Sequence, residues 1–336
     1  MLSRLLIITT LVSLTVSLQA ATRAENLNKK EDAWFTSPEG VKALNNILSW
    51  QSDQGAWPKN RDTTREAYSG ERSELRGTFD NGATIGELRV LARGFRFTKN
   101  GRYRKAFLHG FDVVLEAQYP NGGFPQYYPL RKGYYTRITF NDNCMIRIMQ
   151  FLLEVVTTEH YHFLDGERLM AAKKALNLGV ECILKCQIKV NGQLTVWCAQ
   201  HDETTLAPAK ARSYELASLS GAESAGILTF LMSLDDPSSE VIRSVKAGVA
   251  WFESTKIEGY RYQRSANEPA LIKDSTAPSL WARFSEIETN RPFFCDRDGV
   301  KKYDLMEIGD ERRKGYSWYS TSGEKVAKAY AGWSHR

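Results

Sequence analysis

Three stretches of this chain share one layout, and their spacing limits the fold more than any other feature. "ILSWQSDQGAWPKN" (47–60), "VLEAQYPNGGFPQYYP" (114–129) and "ILKCQIKVNGQLTVW" (183–197) each run from an apolar helix end through a Gln to a Gly, then to an aromatic or apolar residue. Gln51, Gln118 and Gln187 are spaced by 67 and 69 residues. A further helix end, "VAWFESTKIEGYRY" (249–262), follows about 65 residues later. A period that long holds two helices and two loops, which predicts stacked helical hairpins.

The helices themselves are legible. Ser37 as N-cap and Pro38 at the first helical position open one whose Val41, Leu44 and Leu48 share a face. Phe107, Phe111, Val114, Leu115 and Gln118 make a second stripe, and Met145, Ile148, Met149, Leu152 and Val156 a third. Strong period-two runs are scarce. After Ala282 the helical pattern fades into a loop-rich tail that reaches about Trp318.

The first twenty residues read as something else. Arg4, the apolar run Leu5–Val16 and the small-residue stretch Ser17–Ala21 are the three parts of a secretory signal. The run is too short to span a bilayer, which takes about 20 apolar residues, and no later stretch is long enough either. Residues 1–20 are therefore expected to be a signal peptide, and 21–336 a single domain, secreted to the periplasm or beyond. Removing Arg4 takes the formal net charge from +6 to +5. That mild basicity suits a polyanionic partner, and no basic arm of a nucleic-acid binder is present. The five cysteines are an odd number, so an exported chain keeps at least one free thiol or an intermolecular bond. Cys182 and Cys186 sit at a helical spacing that suits packing, and Cys186–Cys198 is a possible bridge. No CxxC pair suggests structural zinc. Nothing signals oligomerisation, and a monomer is expected.

A second repeated signal lies between the Gln segments. "TFDNGAT" (78–84), "TFNDNCM" (139–145) and "SLSGAES" (218–224) each precede an apolar helix. Helix capping needs one Asp, Asn or Ser apiece, and the first two turns carry two and three. If the hairpins bring these turns to one face, Asp80, Asn81, Asp142 and Asn143 form an oxygen-rich set suited to Ca²⁺. Capping and metal binding both remain open at this level.

GxxxxGK[ST], HExxH and GxSxG are all missing. His201 in "QHDETT" is the one candidate general base, and a loop histidine bonded to backbone explains it as well. Arginines and lysines are frequent in polar, aromatic-rich segments: Arg131, Lys132, Arg137, Lys210, Arg212, Arg283, Arg291 and Arg297. An acidic polysaccharide would use them, because each uronate carboxylate seeks a cation, often a bidentate Arg. A scatter of solvated charge is the bland alternative.

The blocks "WQSDQGAWPKN", "TFDNGATIGEL", "GGFPQYYPL", "YYTRITFNDNCM", "PAKARSYELASLSGAES" and "RFSEIETNRPFFCDRDGVKKYDLMEIGDERRKGYSWY" closely resemble the family 10 polysaccharide lyases, which are pectate lyases. The likeness runs from about Trp50 to Tyr319. It implies an all-α fold, an (α/α)₃ toroid or incomplete barrel of helical hairpins with long loops. It also implies Ca²⁺-dependent β-elimination of α-1,4-polygalacturonate, leaving 4,5-unsaturated oligogalacturonides. By position, Asp80 looks like a calcium-binding and catalytic carboxylate, Asp142 like a second calcium ligand, with Asn81 and Asn141 beside them. Arg212 matches the base. Lys210, Arg283, Arg297 and Asn141 are expected to bind substrate. Two rivals stay in view: a hydrolase of uronic polymers using carboxylates such as Asp202 and Glu203, and a non-catalytic pectin-binding protein.

Overall fold

The computed structural model describes residues 23–264 and 271–335; the signal segment 1–20 lies outside the described residues. Ten α-helices run in chain order among them. They are α1 (Arg23–Leu27), α2 (Pro38–Ser49), α3 (Ile85–Thr98), α4 (Gly101–Glu116), α5 (Cys144–Thr157), α6 (Gly166–Cys186), α7 (Gly221–Leu231), α8 (Ser239–Thr255), α9 (Asp310–Gly315) and α10 (Ser322–Ala331). Consecutive helices pack as hairpins, α3 on α4, α5 on α6 and α7 on α8. The hairpins also pack on one another in two rows, one of α2, α4, α6 and α8, the other of α3, α5, α7 and α10.

The repeated glutamines fasten these hairpins together. Gln51 Nε2 donates to the carbonyls of Gly55 and Ala106, each at 2.8 Å. Gln118 does the same to Gly122 and Ala175 at 3.0 and 2.8 Å, and Gln187 to Thr195 and Ser244 at 2.9 and 3.0 Å. Each amide closes its own loop and grips the next helix of the first row. The gripped positions 106, 175 and 244 are 69 residues apart. Aromatic residues repeat the pattern: Trp57 and Trp197 donate their indole N–H to Ile47 and Ile183, and their backbone N–H to Thr84 and Ser224 hydroxyls. Buried donors and acceptors left unpaired are costly, so these residues recur because each repeat buries the same loop backbone.

Helix starts divide by row. Ser37, Asn100, Asp165 and Ser238 each accept a backbone N–H with their side chain and cap α2, α4, α6 and α8. The starts of α3, α5 and α7 have no side-chain cap. α7 is apolar on nearly every side and correspondingly buried, with Ile227, Leu228, Phe230 and Leu231 fully covered.

The expectation of an all-α chain forming an (α/α)₃ toroid is corrected by the strands and by a second core. Twelve strands of two or three residues form six antiparallel pairs among the described residues. The tail read as loop-rich contributes many of them, and with Tyr214 it builds a core of Phe284, Phe293, Phe294, Trp318 and Tyr319 that no long helix enters. Strands this short show no period-two alternation, which is why the sequence pattern passed over them. The five cysteines are free. The possible Cys186–Cys198 bridge is not formed, and the neighbouring Cys182 thiol one helical turn away, with burial, pushes the Cys186 pKa up.

Candidate active site

The uncapped ends of α3, α5 and α7 carry the polar turns, and the reason they are uncapped is that their side chains face elsewhere. In the first two turns the second residue takes a left-handed conformation, Asn81 at φ 54° and Asp142 at φ 51°. Asn and Asp tolerate that region better than most residues, and strain of this kind gathers at functional sites. The first residue of each turn, Asp80 or Asn141, is buried, and the second is on the surface side. The inverted order Asp-Asn and Asn-Asp thus puts one carboxylate in the floor and one at the rim, with the two turns packed together.

Asp80 Oδ2 receives the ammonium of Lys59, which also lies 5.8 Å over the Tyr127 ring. Burial opposes the charge on Lys59, but Asp80 and Tyr127 prevail and raise its pKa. The other carboxylate oxygen of Asp80, Oδ1, is buried and has no hydrogen-bond partner among the described residues. Asp142 Oδ2 accepts from Asn141 Nδ2 at 2.8 Å, while its Oδ1 stands 3.7 Å from Arg283 Nη2. Its pKa is raised, first by removal from water and then by Glu223, Asp80 and Glu215, against the pull of Arg283.

Short strands deliver Arg283. Trp281–Ala282 pairs with Tyr319–Ser320 and Phe284–Ser285 with Leu219–Ser220, so the arginine is held at the junction of two ladders. Its Nη2 donates to Glu223 Oε1 at 2.8 Å and Asn141 Oδ1 at 3.1 Å, and its guanidinium lies 4.5 Å over Tyr316. Burial works against its charge, yet Glu223, Tyr316 and Asp142 hold it firmly protonated. Tyr316 donates its hydroxyl to Glu215 Oε1 at 2.8 Å. Glu215 in turn binds Arg212 in a fork, Nε to Oε2 at 2.7 Å and Nη2 to Oε1 at 2.6 Å. One connected path therefore runs Arg212–Glu215–Tyr316–Arg283–Asp142.

Arg212 sits half-exposed at the end of that path, 5.1 Å over Tyr214. Arg312 and Arg297 lie over the same ring at 4.6 and 5.9 Å, which gathers three guanidinium groups. Arg297 is anchored by Glu311 at 2.8 and 2.9 Å. Lys210 is exposed on the same loop and forms no ion pair among the described residues. Asn81 donates to Asn60 Oδ1 at 3.2 Å rather than toward the arginines. Lys59, Glu215, Glu223, Tyr316 and Arg312 were not singled out from sequence. The third polar turn, "SLSGAES", was the available signal for Glu223.

His201 is withdrawn from the cleft. Its ring is fully buried, Nε2 accepting from Cys198 N–H at 3.1 Å and Nδ1 bonded to the Leu206 carbonyl at 2.8 Å. Burial lowers its pKa from 6.5 to about 4. The unfolded chain therefore takes up a proton before the folded one as pH falls, and stability contributed by neutral His201 is lost between about pH 6.5 and 4, on the order of 3 kcal/mol. His201→Ala should cost about 1–3 kcal/mol by orphaning those two backbone groups. It should also flatten the acid limb of stability against pH, as measured by urea denaturation.

The profile of the pectic acid lyase family matches residues 51–327. The chain belongs to this family. Every residue of the path above falls inside the matched span. Among solved structures, the family 10 polysaccharide lyase from Cellvibrio cellulosa is 38% identical, with a TM-score of 0.83 over 90% of this chain and 96% of that one. An aspartate-to-alanine mutant of the Cellvibrio cellulosa family 10 lyase, in complex with trigalacturonic acid, is similar at 37% identity and a TM-score of 0.83, covering 94% of this chain and 100% of that one. No curated protein sequence matches. Among the described residues of this lyase family member, no helix is long and apolar enough to cross a membrane.

Proposed function

We propose that the protein is an exported pectate lyase that cleaves polygalacturonate by β-elimination, with Arg212 as base and Ca²⁺ held by Asp80 and Asp142. The observation that carries this is the path from Arg212 through Glu215, Tyr316 and Arg283 to Asp142, which links two guanidinium groups to the carboxylate turns. The binding of trigalacturonic acid by a related lyase supports a uronate as substrate.

The donor chemistry fits calcium. Among the described residues Asp80 Oδ1 is buried without a partner, Asp142 is held only by a neighbouring amide and a distant guanidinium, and Asn81 adds a neutral oxygen. Among the described residues no three His, Cys, Asp or Glu side chains are grouped as a metal cage, so substrate and water would supply the remaining oxygens. When bound, Ca²⁺ supplies Lewis-acid withdrawal of charge from the uronate carboxylate, which acidifies the neighbouring C5–H.

Arg283, Arg297 and Lys210 then hold carboxylates of the chain as fixed cations. Glu215 occupies Nε and Nη2 of Arg212 and so fixes the fork, leaving Nη1 without a protein partner among the described residues. Nη1 of neutral Arg212 takes the C5 proton. The C–H electron pair becomes the C4–C5 double bond, the C4–O bond breaks, and O4 leaves with its electron pair and gains a proton from solvent. Glu215 opposes the loss of the Arg212 proton and, with Tyr214 and Tyr316, outweighs burial and raises its pKa. The reaction is accordingly expected to favour alkaline pH.

The hydrolase alternative is less well served. Asp202 is held by Thr205 and Thr204 backbone N–H groups and by Arg137, and its pKa is lowered to about 2. Glu203 shares Arg137 at 2.9 Å and accepts from Thr136. A carboxylate held like Asp202 does not suit a proton donor at neutral pH. Incubating the protein with polygalacturonate should give an ultraviolet rise from the unsaturated product that calcium supports and EDTA abolishes. New reducing ends without that rise would favour the hydrolase, and binding without turnover the scaffold.

A further inference from the structure

Beside the Asp80–Lys59 pair opens a cavity of about 530 Å³ whose charges are unbalanced. Lys59, Arg61, Arg76 and Arg131 line it, against the single carboxylate of Glu74. Several other surface arginines are matched by an acid, Arg93 by Asp32, Arg168 by Asp112 and Arg297 by Glu311. Among the described residues Arg61 and Arg76 form no ion pair or side-chain hydrogen bond. Arg131 is spread over the rings of Tyr135 and Tyr127 at 4.2 and 5.4 Å, with no acid partner among the described residues. Like charges held around one concavity repel each other and raise the local potential for anions.

The wall of the cavity is built rather than incidental. Trp50 and Tyr68 contribute rings 4.7 Å apart, and the Trp50 indole N–H is tied to the Glu66 carbonyl at 2.8 Å. Tyr127 lies beneath both Lys59 and Arg131, so it joins the cavity to the Asp80 turn without a break. Fixed aromatic faces beside unpaired cations suit an extended chain of acidic sugars, the rings packing on the sugar faces and the guanidinium groups taking the carboxylates.

We infer that this cavity is a distal subsite for uronate residues of a longer polygalacturonate chain, beyond those held at the Asp80–Asp142 turns. The inference rests on the proposed substrate class and assigns Arg61 and Arg76 the task of favouring long, unesterified chains. Their exposure and lack of partners mean that replacing them removes charge without orphaning a buried group.

The test compares the wild type with the double variant R61A/R76A on trigalacturonate and hexagalacturonate, by turnover and by calorimetric binding. The variant should raise KM for the hexamer about tenfold with kcat unchanged, and weaken hexamer binding by the same factor. Its handling of the trimer should be that of the wild type. Fully methyl-esterified hexamer should bind both proteins alike. An equal loss on both chain lengths, or none on the hexamer, would overturn the subsite; a difference that persists on the esterified chain would overturn the role of its carboxylates. If the wild type turns over neither substrate, the lyase proposal fails, while the calorimetric comparison still decides the cavity.

Discussion

Arg212→Ala is expected to lower kcat/KM on polygalacturonate by about 10²–10⁴, the range for losing a general base. The substitution also strips both guanidinium bonds from Glu215, a nearly buried carboxylate left with the Tyr316 hydroxyl at 2.8 Å and the backbone N–H of residue 212 at 3.3 Å. A stability loss of up to about 3 kcal/mol should accompany it, so the activity of the alanine variant alone does not separate chemistry from folding. Arg212→Lys keeps a cation but not the fork, and should restore stability more than turnover. Glu215→Gln discriminates further. Removing the anion that holds the guanidinium protonated lowers the pKa of Arg212, and activity that depends on neutral Arg212 must then begin to rise at lower pH than in the wild type. If Arg212 merely bound a carboxylate as a fixed cation, the same change would leave the pH profile in place. A wild-type optimum in the acid range would remove Arg212 as base altogether.

Much of the helical framework was visible before the structure because it repeats. Gln51, Gln118 and Gln187 stood out by spacing, and each performs the same task, bonding its own loop and the next hairpin. The N-cap at Ser37 was legible for the same local reason. The strands were not, since pairs of two residues leave no pattern and are fixed only by what folds against them. That cost the fold class, because the segment from Ala282 to Trp318 forms a second core instead of loops around helices. In the site, carboxylates in repeated turns were legible, while Lys59 and Tyr316 were not. Lys59 reaches Asp80 from 21 residues away and Tyr316 reaches Glu215 from 101, distances over which sequence carries no contact signal. The capping alternative for the polar turns was decided by comparison between rows: the helices that use side-chain caps are α2, α4, α6 and α8, and the turns with spare carboxylates precede the others.

Asp80→Ala should separate binding from turnover. On the proposed reading, Asp80 and Asp142 place negative charge where a uronate carboxylate comes, and a cation between them offsets the repulsion. Deleting Asp80 lifts that repulsion and releases Lys59, still packed over Tyr127, to face the substrate. Trigalacturonate binding in the absence of calcium is therefore expected to match or exceed that of the wild type, by calorimetry. Turnover should fall by about 10²–10³, the range for losing one preorganised electrostatic contact to the transition state. The calcium dependence of the melting temperature should shrink in the same variant, a readout that does not pass through activity. Asp80→Asn separates charge from shape: it retains the oxygen that lies unpartnered in the floor of the cleft, and should recover part of the thermal response to calcium with little of the turnover. A variant that binds less trigalacturonate while keeping its calcium response would show Asp80 to be a substrate ligand, and the metal site would have to be sought elsewhere.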